Sequence, residues 1–222
     1  MAIAQPDVVK PPTTGPAATQ ASVAVDQTTP RGALKVLTLA MNKGDPAGIK
    51  AVFSPANATE TKMVDSVVSQ QQALSKFRDG AITAFGADEA KKLVGDVDTD
   101  QVESLAKLDT LPENITGDTA DVGEGDQILH LKKVGDKWTL PVAMLAPQIN
   151  ANNVDAELGQ MSDRTKIFTD VTDEMTKGKY KSTEEVGKAM QLRMLQQVMA
   201  HNAAASQPTT DLSAPSVPPM PQ

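Results

Sequence analysis

Residues 117–146 read GDTADVGEGDQILHLKKVGDKWTLPVAMLA, and this stretch decides the fold. Ile128-Leu129-His130-Leu131-Lys132-Lys133-Val134 is apolar and partly alternating, the pattern of a half-buried strand. Gly135-Asp136 follows as a two-residue turn, with glycine at the first central position where a type II′ hairpin needs positive φ. Lys137 to Val142 then alternates, with Trp138, Leu140 and Val142 on one face. So tight a turn pairs the two strands antiparallel. Thr119-Ala120-Asp121-Val122 is a third candidate strand, joined through Gly123-Glu124-Gly125-Asp126. Pro141 cannot donate to a ladder, so that end belongs at an edge or a bulge.

Outward from this sheet the chain reads as helices. Thr29-Pro30 is a cap followed by a first-turn proline, and Ala33, Val36, Leu37, Ala40 and Met41 form one stripe that Gly44 stops. Asp45-Pro46 repeats the signature for a short helix, Ala47 to Phe53, ended by Ser54-Pro55. A longer helix is expected from Ala58 to Asp79, with Met63, Val64, Val67, Leu74 and Phe77 inward. It breaks at Gly80 and then resumes through Phe85. Ala87 to Val94 is another short helix. Residues 95–116 read as acidic and irregular, with one capped turn at Asp100-Gln101-Val102-Glu103.

After Pro147, Val154, Leu158, Met161, Phe168, Val171 and Met175 recur at helical spacing until Gly178. Ser182-Thr183-Glu184-Glu185 is a capping box. It opens a last helix on Val186, Ala189, Met190, Met194, Leu195 and Val198, reaching about His201. A short connector makes these two an antiparallel hairpin. Residues 1–28 and 202–222, rich in proline, threonine and alanine, read as disordered arms. The expected fold is therefore α+β. Helices pack on a curved antiparallel sheet over residues 29–146, a helical hairpin occupies 147–201, and tails lie at both ends.

The order of elements resembles a known superfamily. A Thr-Pro-capped helix is followed by Lys43-Gly44-Asp45 and a short helix ending in Phe53. Then come Gly117-Asp118-Thr119-Ala120-Asp121-Val122 and Val134-Gly135-Asp136-Lys137-Trp138. This is similar to the ketosteroid-isomerase-like (SnoaL-like, nuclear-transport-factor-like) superfamily, in particular to uncharacterised exported bacterial members. The resemblance covers residues 29–146 and leaves the helical pair outside it. It implies a cone-shaped cavity between helices and sheet. Some members are isomerases, dehydratases or cyclases and many only bind or dimerise, so the fold fixes no activity.

Composition narrows the function. The chain has 222 residues, a net charge of −7 and no cysteine. Twelve acids lie between Asp88 and Asp126 against three lysines, which argues against a nucleic-acid surface. A field this uneven can orient a partner or a dimer, although a solvated acidic face explains it more simply. No apolar run approaches the roughly 18 residues of a membrane span. Ala2-Ile3-Ala4 before Gln5 resembles the end of a signal-cleavage site, which points to an exported protein. The same residues also fit an ordinary N-terminus, so a cytoplasmic location stays open.

Candidate chemistry is sparse. His130, flanked by Leu129 and Leu131, is the one candidate general base, weighed against a solvent-facing strand histidine. Asp96, Asp98 and Asp100 resemble the start of a calcium loop. Gln101 and Lys107 stand where glycine and an acid are needed, so only weak cation binding remains. Two distant histidines and no cysteine argue against zinc, and the phosphate-loop, dinucleotide and hydrolase-elbow motifs are missing. Lys177, Lys179 and Tyr180 form a basic connector, and Met190 and Met194 belong to a methionine stripe that suits either core packing or an adaptable groove. The reading is a non-enzymatic binding or interaction module with no cofactor and a homodimer, protein partner or small apolar ligand as candidate partners. A cavity enzyme and a helical docking module for an envelope or assembly partner are the alternatives.

Overall fold

The computed structural model of the chain describes residues 26–145 and 154–205. The Ala2–Gln5 segment, the proline-rich stretch before residue 26 and the chain beyond residue 205 lie outside the described residues.

Local capping sets the first helices. Thr29 accepts from the Gly32 amide and starts α1 (Pro30–Lys43), and Gly44 closes it at φ 62° with its amide on the Ala40 and Met41 carbonyls. Only a residue at ease in left-handed backbone can turn the chain there. Asp45 then accepts from Ala47 to start α2 (Pro46–Val52). Asn57 accepts from the Glu60 amide, and Glu60 reaches back to the Ala56 amide, at the start of α3 (Ala58–Phe85), the longest described helix, at 28 residues or about 42 Å. α4 (Ala87–Val94) and α5 (Val97–Thr110) follow, then after the sheet α6 (Val154–Thr176) and α7 (Thr183–Ala205).

The sheet has five strands in the order β1-β5-β4-β3-β2: β1 (Phe53–Ser54), β2 (Glu113–Thr116), β3 (Thr119–Val122), β4 (Leu129–Val134) and β5 (Lys137–Pro141). The Gly135-Asp136 turn pairs Val134 with Lys137 as expected, and Gly135 sits at φ 60° with no positive φ at Asp136. Gly117-Asp118 makes the same kind of turn between β2 and β3, pairing Thr116 with Thr119. Trp138, Leu140 and Val142 are buried together, although Val142 already belongs to the 3-10 turn Val142–Leu145.

The α+β architecture holds, with five corrections of detail. The sheet is mixed, because β1 lies parallel to β5, pairing Phe53 with Leu140. Residues 97–110 are helical and 113–116 a strand, where the sequence reads irregular chain. α3 runs unbroken through Gly80, because there the helix passes close to α6: an added Cβ would sit 3.1 Å from Met175 Cε and Thr172 Cγ2. α7 continues helical through Ala205, past the expected end. Gln27, read as part of the N-terminal arm, is buried, accepts the Trp138 amide at its carbonyl (2.8 Å) and donates to the Ala51 carbonyl (2.9 Å).

Two apolar clusters share α3 as a common beam. The first, around Ile49, Val52, Met63, Leu131, Trp138 and Leu140, fills the space between α1–α3 and the sheet. The second, around Phe77, Ala81, Ala90, Val171, Met175 and Val186, joins the far half of α3 to α4, α6 and α7. α3 and α6 form the most extensive helix pair of the described residues.

Candidate functional site: an apolar cleft beside Arg78

Between the two clusters the packing leaves a cleft of ≈460 Å3. Its walls come from the end of α1, the middle of α3, the α4–α5 junction, α6 and the start of α7. Met41, Leu74, Phe77, Leu93, Phe168 and Met190 supply the apolar surface. Phe77 and Phe168 meet edge to face, with ring centroids 5.5 Å apart and planes at 71°. Leu74, expected in the core from its helical phase, is 38% exposed because it stands at this opening. The volume falls in the range of small-molecule sites, roughly 300–1,000 Å3.

Polar groups gather on one side of the cleft: Asn42, Gln71, Ser75 and Arg78. Arg78 Nη1 donates to the Asn42 carbonyl at 2.9 Å, and Ser75 Oγ donates to the Lys43 carbonyl at 3.3 Å. Both side chains on α3 thus satisfy carbonyls at the C-terminus of α1, where a cation is also favoured by the helix dipole. Arg78 Nε lies 3.5 Å from Asp79 Oδ1, but that carboxylate is 66% exposed and screened by water. Among the described residues no hydrogen bond from Arg78 Nη2 is found, and Arg78 lines the cleft.

A second polar cluster fixes the α7 wall. Glu174, near the end of α6, accepts from Lys179 (2.8 Å), Arg193 (2.7 Å) and the Tyr180 hydroxyl. Lys179, then Tyr180 and Arg193, hold its carboxyl down at about 2. Burial, then the Glu174 carboxylate, push the Tyr180 phenol up to about 12. Lys179 also stands 5.9 Å above the Tyr180 ring. Tyr180 and Lys179, read from sequence as connector residues, are therefore parts of a clamp between α6 and α7, while Lys177 is exposed beside it. Met190 lies on the cleft wall and Met194 is half-buried one turn on.

The other sequence candidates sit elsewhere. His130 is on the sheet face opposite Leu131 and Trp138, 63% exposed, with Nδ1 2.6 Å from Asp121 Oδ1. The helix–sheet space is on the other side, so His130 does not face it. Asp96 caps α5 through the Thr99 amide and pairs with Lys91 at 2.9 Å, and these contacts lower its pKa, Lys91 most. Asp98 and Asp100 are not drawn to it, and no cluster of three or more metal-ligating side chains occurs among the described residues. A broader hollow of ≈760 Å3 opens where α5 meets residues 124–129, lined by Leu108, Leu111, Leu129 and Met144. Its acids, Glu124 and Asp126, are exposed rather than aimed into an apolar pocket.

Arg78 was missed by sequence reasoning. The available signal was its phase: it lies four residues after Leu74 and one after Phe77, a cation beside an otherwise inward stripe. Family models, curated proteins and solved structures yield no match to this chain.

Proposed function

We propose that this protein is a non-catalytic binding module whose ligand is a small molecule with an apolar body and a single acidic head group. One observation carries the reading: an apolar cleft of ligand size has one cation, Arg78, on its polar side. The apolar body would replace water along Leu74, Phe77, Phe168 and Met190, which is favourable in proportion to the area covered. The head group would take Arg78 Nη2 in a charge-assisted hydrogen bond. A single such contact and one short apolar body support a Kd of about 1–100 μM rather than a tighter complex. Among the described residues that line the cleft, Arg78 is the one ionisable side chain and the Ser75 hydroxyl is spent on the Lys43 carbonyl, which favours recognition over catalysis.

The test uses an anionic naphthalene sulfonate dye on the full chain, with a variant that fills the cleft. A Cβ at Gly187 would lie 3.8 Å from Leu93 Cδ2, so Gly187→Leu grows into the cleft without a backbone clash and adds helix propensity. The expected result is saturable dye fluorescence in the parent, competed by decanoate, and at least tenfold weaker binding in Gly187→Leu at a melting temperature no lower than the parent's. Equal dye binding by the two proteins overturns the assignment.

A further inference from the structure

The first half of α7 buries Val186 in the second apolar cluster, but its second half is built inside out. At 100° per residue, Arg193, Gln197 and His201 share one face of α7, and all three are spent on the protein's own α6. Arg193 binds Glu174 (2.7 Å), Gln197 donates to the Gln160 carbonyl (3.3 Å), and His201 Nε2 meets Asp163 (3.0 Å). On the opposite face, within an arc of about 120°, Leu192, Leu195, Val198 and Met199 are 55–62% exposed. A helix meeting only water carries the reverse pattern. The sequence reading puts Leu195 and Val198 inside; the three polar contacts with α6 turn them out.

The charge on this face selects its occupant. From Gln191 to Ala200 the exposed side chains are Gln191, Leu192, Leu195, Gln196, Val198, Met199 and Ala200, none of them charged, and Lys188, two turns before Leu195 on the same side, is paired with Glu184 (2.7 Å). The whole chain carries a net −7. A neutral apolar face meets its own copy under a two-fold axis without like-charge repulsion. A membrane-surface helix needs basic residues around its apolar stripe. Here the first turn is acidic (Glu184, Glu185) and Arg193 is engaged. The outer sheet face is a poorer candidate, since His130, Asp121, Lys132 and Thr119 lie on it.

We propose that Leu192, Leu195, Val198 and Met199 form a homodimer interface, with α7 of one copy packed antiparallel on α7 of a second about an axis near Leu195. The two hairpins then make a four-helix arrangement. A stripe of four side chains covers less than the roughly 800 Å2 per partner of a standard interface, so the dimer is weak and concentration-dependent. This rests on the α7 surface alone and is independent of the cleft.

Sedimentation of the full chain between about 1 and 500 μM tests it, with a Kd of about 10–100 μM expected. Leu195→Glu is expected to weaken association at least tenfold while leaving the low-concentration melting curve unchanged. Since the chain has no cysteine, Leu195→Cys is expected to oxidise to a covalent dimer, and exposed Ser182→Cys is not. A monomer throughout, whether the stripe stays bare or residues 206–222 of the same chain cover it, overturns the proposal. So does dimerisation that Leu195→Glu leaves unaltered.

Discussion

Replacing Glu174 by glutamine is expected to cost stability at neutral pH and to remove the part of the fold's acid sensitivity that this carboxyl carries. Glu174 joins the end of α6 to the connector and to α7 by three charge-assisted or phenolic hydrogen bonds. Its carboxyl is lowered from 4.5 to about 2, and at about 1.4 kcal/mol per tenfold this sets an upper bound of about 3 kcal/mol. The side chain keeps 26% of its surface in water, as does that of Arg193, and screening reduces the bound to about 1–2 kcal/mol. The sign follows from linkage. A carboxyl with a lowered folded-state pKa contributes stability above about pH 4.5, and that stability is lost as pH falls toward about 2. Glutamine can still accept from Tyr180, but it leaves the Arg193 guanidinium without its charge partner. The assay is urea unfolding of both proteins at pH 7, 5 and 3. The expected loss in Glu174→Gln is about 1–2 kcal/mol at pH 7, or about 3–6 °C in melting temperature, shrinking by pH 3. Superimposable stability–pH curves for the two proteins would refute the clamp.

The same clamp has an alkaline limb, because the Tyr180 phenol is pushed up to about 12 by burial and by Glu174. Its stabilisation is complete below about pH 10 and lost as pH rises toward 12, so Tyr180→Phe is expected to flatten the melting temperature between pH 9.5 and 11. At Gly80, alanine gains about 1 kcal/mol of helix propensity but presses on Met175 and on Thr172. The Thr172 hydroxyl is tied to the Phe168 carbonyl at 2.7 Å and cannot swing away. Overpacking of about 1–3 kcal/mol wins, so chemical unfolding should show Gly80→Ala losing about 1 kcal/mol and Gly80→Val more. A stabilised Gly80→Ala would mean that α3 and α6 are not in close contact.

What was legible in the sequence was local. The Gly135-Asp136 turn, the Thr29 and Asp45 caps and the Trp138–Leu140 alternation each carry their signal within a few residues, and each forms as read. What escaped depends on distant chain. β1 is two residues long and exists only because β5 lies alongside it. β2 has a single apolar residue, Ile115, and is held by its pairing to β3, although Gly117-Asp118 repeats the turn signal recognised at Gly135. α5 buries no residue fully, and its half-buried stripe of Val97, Leu105 and Leu108 is obscured by the acids between them; its true cap is Asp96 rather than Asp100. Gly80 looks like a helix breaker until the neighbouring helix is known. The cleft could not be read at all, since its walls come from α1, α3, α4, α6 and α7. Arg78 and Leu74 take on a role only where these meet. α7 misled for a related reason: amphipathicity tells which face is apolar, and the partner helix α6 decides which face is inside.

Whether Arg78 reads an acidic head group at the apolar cleft is decided by calorimetric titration with decanoate and with decanol. Glutamine at position 78 retains a donor for the Asn42 carbonyl, so Arg78→Gln removes the charge with the least disturbance of α1. A hydrogen bond to a charged group contributes about 1.5–3 kcal/mol. The parent protein is therefore expected to bind the acid at least tenfold more tightly than the alcohol, and Arg78→Gln to bind the two alike. Equal affinity for acid and alcohol in the parent, or discrimination that survives in Arg78→Gln, would contradict this role of Arg78.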